Sequence, residues 1–145
     1  MTSQLNVDTI VDKAGSGGTN VKVANNAVAV AEGGSATTNV VQGLAKAWVN
    51  FNGSTFGTNG SFNVGSMTDN GTGDYTVTFS NALSNANFST TANTLRISGD
   101  QSSVVMPTAY STSAVELETW RENAGAGSVA ADHSLVSASM LGDLA

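Results

Sequence analysis

Apolar and polar residues alternate with a period of two along most of the chain. Ala47, Val49 and Phe51 alternate with Lys46, Trp48 and Asn50. Phe62 and Val64 follow, and Tyr75, Val77 and Phe79 then alternate with Asp74, Thr76 and Thr78. The pattern recurs at Leu95 and Ile97, at Val104 and Met106, at Val115 and Leu117 against Glu116 and Glu118, and at Val136, Ala138 and Met140. Successive side chains of a strand point to opposite faces, so each segment predicts a strand with one apolar face. Short strands separated by turns predict an all-β chain whose residues 45–145 form an antiparallel β-sandwich. Asn52-Gly53, Asn59-Gly60 and Asn70-Gly71 supply residues that tolerate the positive φ of tight turns. Pro107, which has no N–H to donate, is expected to begin an edge strand or to lie in a loop.

Before residue 45 the pattern is thinner. Over residues 1–23, Leu5 and Val7, then Ile10 and Val11, meet the glycines Gly15, Gly17 and Gly18, after which Val21 and Val23 alternate again. This predicts a short hairpin-like module. Residues 24–44 read as a connector, with alternation at Val28 and Val30, a break at Gly33 and Gly34, and a helical turn opening at Thr37 or Thr38. Single valines and alanines offer it little apolar area, while fixing each backbone residue costs about 1 to 2 kcal/mol. Partners must order it, and shared burial among copies would do so.

Composition sharpens this. The chain has 145 residues, of which 18 are Ser, 17 Thr, 15 Asn and 16 Gly, whereas Leu, Ile, Val and Phe together number 31. Such a chain has little core of its own. With only 11% charged residues and a net charge of −6, however, self-repulsion is too weak to hold it open. Five basic residues scattered along the chain cannot neutralise a row of phosphates, which argues against nucleic-acid binding. The absence of cysteine excludes disulfides and thiolate metal sites. No apolar run of about 18 residues occurs, so no membrane insertion is expected.

Candidate chemistry is sparse. His133 is the only histidine, and its neighbours Asp132 and Ser134 point to the opposite strand face, so the three do not form a relay among themselves. Asp69 and Asp74 in TDNGTGD suggest calcium. The alternate positions that would carry ligand oxygens are instead Gly71 and Gly73, and a hairpin turn fits better. Glu116 and Glu118 share a strand face without any sign of a cleft. Neither an enzyme nor a bound cofactor or metal is expected.

Two stretches carry a family resemblance. SQLNVDTIVDKAGSGG, from Ser3 to Gly18, resembles the N-terminal attachment segment of bacteriophage fibre and fibre-like virion proteins, particularly of marine phages. QGLAKAWVNFNG (Gln42 to Gly53), the long run from Ser61 to Ser89 containing TDNGTGDYTVTF, Val115 to Thr119 and DHSLVSASMLG (Asp132 to Gly142) are similar to a small β domain at the distal end of phage tail fibres. The resemblance implies a homotrimer on the tail or capsid surface of a virion, held to other virion proteins by its N-terminal module. Only about twenty residues separate that module from the terminal domain, which implies a short tail fibre, a stubby projection aiding host adsorption, or a capsid or tail decoration protein. A tip that binds host cell-surface glycan is the alternative.

Leu5, Val7 and Ile10 are the expected attachment residues. Trp48 and Trp120 sit at polar-face positions of their strands, Trp120 in phase with Glu116 and Glu118. An outward tryptophan is ordinarily covered by something. A neighbouring subunit is the expected cover of Trp48, and Trp120 is expected to serve a receptor or an interface.

Overall fold

The computed structural model describes residues 28–30, 37–40, 43–123, 125 and 127–143, and every regular element in them is a β-strand. The expected module over 1–23, with Leu5, Val7 and Ile10, lies outside the described residues. The chain divides into two units between residues 41 and 42. In the first, β1 (Val28–Val30) pairs antiparallel with β2 (Thr37–Asn39). The helical turn expected at Thr37 or Thr38 is therefore a strand, as two adjacent threonines, with their branched Cβ atoms, favour.

The second unit holds two antiparallel sheets. One contains β3 (Ala45–Asn52), β4 (Gly57–Phe62), β7 (Ser89–Thr94) and β11 (Val136–Leu141) in the order β4-β3-β11-β7. The other contains β5 (Val64–Gly71), β6 (Asp74–Phe79), β8 (Ser102–Tyr110), β9 (Ala114–Asn123) and β10 (Gly127–Ala130). In it β9 is central: β6 pairs with Ala114 to Glu118, β10 with Trp120 to Asn123, and β8 with Val115 to Glu122. The apolar faces of both sheets meet in one core. Ala47, Val49, Phe51, Val136, Ala138 and Met140 come from the first sheet, and Tyr75, Val77, Phe79, Val115 and Leu117 from the second. Phe51 meets Tyr75 edge-on with ring centroids 4.9 Å apart. At the other end Phe79, Phe88 and Tyr110 form a chain of edge-on rings.

The chain passes from the first sheet to the second at Asn63, in the left-handed region at φ 55°. Its side chain makes the corner. Nδ2 donates to the carbonyls of Lys46 and Asn81, both at 3.0 Å, and Oδ1 accepts the Asn81 backbone N–H at 2.7 Å. Asparagine suits both tasks, since it tolerates positive φ and carries a donor and an acceptor. Phe62 and Val64, which alternation alone joins in one strand, thus belong to different sheets.

Other expectations are corrected in the same way. Leu95 and Ile97 lie beyond the end of β7, and Leu95 is exposed. In β8 the inward residue is Val105, while Val104 and Met106 face outward. Apolar residues stand at both parities there, and the register decides, because Val105 pairs with the buried Thr119. Pro107 lies inside β8, beside a register shift at Pro107/Ala109 on an edge strand that tolerates the missing donor. Asn59-Gly60 is no turn but part of β4, next to the register shift at Asn50/Phe51. Lys46, expected on the polar face, is buried and donates Nζ to the Leu44 carbonyl at 2.6 Å.

Candidate functional site

The only histidine and its neighbours build a structural lock. The Asp132 carboxylate accepts the Gly73 backbone N–H and the Tyr75 hydroxyl through the same oxygen, each at 2.7 Å. Thr119, fully buried, donates its hydroxyl to the Ala131 carbonyl at 2.6 Å and its N–H to the Gly73 carbonyl at 2.7 Å. The turn between β5 and β6 is thereby tied to β9 and to the segment before β11. His133 is fully buried, its Nδ1 donates to the Leu95 carbonyl at 3.1 Å, and its Nε2 meets no partner among the described residues. The ring is enclosed within the domain, whereas Ser134 is exposed. Asp69 accepts the Gly71 N–H at 3.0 Å and Asp74 accepts from Asn70 at 3.3 Å, so both carboxylates cap the hairpin turn. Among the described residues no group of three or more His, Cys, Asp or Glu is placed to hold a metal ion.

Burial, and then the hydrogen bond and charge of Asp132, push the Tyr75 hydroxyl well above its ordinary value. A group whose pKa rises on folding loses its stabilising effect at high pH. Stability should therefore hold up to about pH 10 and fall beyond it, as tyrosine ionises in the unfolded chain while folded Tyr75 keeps its proton. Denaturant titrations across that range should show the fall, and Tyr75→Phe should flatten it. An unchanged slope in the variant would assign the alkaline loss to other groups.

The outward faces of the two sheets differ in character. On the first, Trp48 stands directly opposite Phe62, and they are 40% and 55% exposed. Gly60 lies beside the indole, and a Cβ there would sit in contact with its edge at 3.4 Å. The surrounding outward positions, Asn50, Ser137, Ser139, Thr91 and Asn93, are all uncharged. On the second, Trp120 lies between Val104 and Ala130 in the ladder, and its Nε1 donates to Glu118 at 3.0 Å. Glu118 and Glu122 flank it on β9, with Glu116 one position beyond, so this face is acidic.

Alternation thus places both tryptophans outward. It does not reveal Phe62 as the partner of Trp48, because the glycines and polar residues of β4 carry little pattern. Nor does it reveal the apolar row around Trp120, which comes from strands paired across the sheet. No protein-family model, curated protein or solved structure matches this chain.

Proposed function

We propose that the chain is a structural protein of a bacteriophage virion, a short tail fibre or fibre-like projection on the tail or capsid surface, built as a homotrimer and aiding host adsorption. The attachment and terminal-domain motifs quoted above support the virion reading. The pairing of Trp48 with Phe62 on an uncharged sheet face supports the assembly. Two large aromatics side by side at a surface favour removal from water. On a chain of net charge −6, an uncharged face is where copies meet with the least repulsion. Leu5, Val7 and Ile10 are assigned to the contact with other virion proteins.

A second reading, a tip that recognises host glycan, draws on the amides and hydroxyls of Asn50, Asn93, Ser137 and Ser139 beside the same indole. Trp48→Ala separates the two. Dissociation of the trimer in size exclusion with light scattering is the expected outcome. An intact trimer that no longer adsorbs to host cells would instead make Trp48 part of a receptor site.

A further inference from the structure

The outer face of the second sheet carries a separate apolar row. The outward positions of β9 run Ala114, Glu116, Glu118, Trp120, Glu122, spanning roughly 26 Å at about 3.3 Å per residue. Val104 and Ala130 lie on either side of Trp120, and Met106 and Asp74 on either side of Glu118. Val104 and Met106 are 45% and 41% exposed. A shallow depression lined by Ala109, Tyr110, Ala114 and Glu116 continues the row toward the β8–β9 turn.

Charge identifies the occupant. Asp74, Glu116, Glu118 and Glu122 all belong to this face, and among the described residues no basic side chain stands between them. Arg121 takes the opposite face of β9 and approaches Asp100 at 3.7 Å, while Arg96 donates to the Asp100 carbonyl. Asp74 and Glu118 are direct cross-strand partners, an arrangement of like charges that a cation between them relieves. The hydrogen bond to Glu118 holds the Trp120 indole beside a carboxylate, where a guanidinium or ammonium gains from both the ring face and the charge. A second copy meeting this face across a two-fold axis would bring carboxylates against carboxylates. Through any other face it has no cationic patch to offer among the described residues, since Lys46 is buried and Arg96 and Arg121 are both engaged at Asp100.

We infer that this face docks a basic segment of another protein, with Lys or Arg over the carboxylates and apolar residues over Val104, Met106 and Trp120. Carboxylates at an exposed rim act mainly through steering and complementarity, so binding should weaken steeply with salt.

The test uses the intact chain and a labelled peptide alternating arginine and valine, with a glutamate–valine peptide and a neutral oligosaccharide as controls. Binding of the arginine peptide alone, lost at high salt and weakened roughly tenfold or more in Glu116→Gln/Glu118→Gln, is the expected result. These substitutions keep shape and lie outside the core, so the variant remains folded. No binding, binding insensitive to salt or to the two substitutions, or equal binding of a control overturns the inference. Particle mass measured on the same samples keeps it distinct from the assembly proposal: three chains without peptide binding sinks only the docking surface.

Discussion

Gly73→Ala is expected to cost the domain about 4 kcal/mol or more, a large fraction of the roughly 5 to 15 kcal/mol that ordinarily separates folded from unfolded chains. Gly73 adopts φ +71°, where a Cβ is disfavoured by about 1 to 2 kcal/mol. Collision contributes more, for the added Cβ would lie 2.5 Å from the Thr119 carbonyl oxygen and 2.9 Å from the Ala131 nitrogen. Both are backbone atoms in a hydrogen-bonded ladder and cannot swing aside. Gly57→Ala is the control, since a methyl group added there meets nothing within 4 Å and the backbone lies outside the left-handed region. It should stay within about 0.5 kcal/mol of the parent. Thermal denaturation of the two variants checks this, and equal losses would show that the close approach at Gly73 is not what makes glycine necessary there.

Asp132→Ala should be nearly as damaging, at about 3 kcal/mol, because it strands two donors at once. The Gly73 N–H and the Tyr75 hydroxyl share one carboxylate oxygen, so both lose their acceptor when it is removed. Asp132→Asn retains an oxygen at that position and should lose less, about 1 kcal/mol, as a neutral acceptor replaces a charged one. In combination with Tyr75→Phe, the loss from Asp132→Ala should fall short of the sum of the single losses, since the two variants remove the same hydrogen bond. Additive losses in chemical denaturation would mean that Tyr75 and Asp132 act independently.

The strands that could be read from the sequence are those whose inward positions are large and whose outward positions are polar: β3, β6, β9 and β11. β7 could not, because its inward residues are Thr90, Ala92 and Thr94, which differ little in polarity from Ser89, Thr91 and Asn93 outside. β8 defeated the reading for the opposite reason, with Val104, Val105 and Met106 apolar at both parities. Register with β9 decides which of them is inward, and register is a property of two strands. The same limit applies to the lock. Tyr75 reads correctly as an inward apolar position, but its partner Asp132 lies 57 residues away and carries no local mark. Asn63 is a similar case: one residue between two expected strand segments proves to be the corner at which the chain changes sheets.

The candidate surfaces were half legible. Period-two alternation places Trp48 and Trp120 outward without any knowledge of the fold, yet a single residue is not a surface. Phe62 joins Trp48, and Val104 and Ala130 join Trp120, only through hydrogen-bonded neighbours on other strands. The proposed assembly draws on that first pair, since an uncharged aromatic patch on an acidic chain with a small core favours contact between copies. The most direct measurement is the mass of the intact chain in solution at micromolar concentration, by light scattering coupled to size exclusion. A particle of three 14.6 kDa chains is expected. A stable folded particle with the mass of one chain would contradict the assembly, and with it the reading of this protein as a trimeric projection.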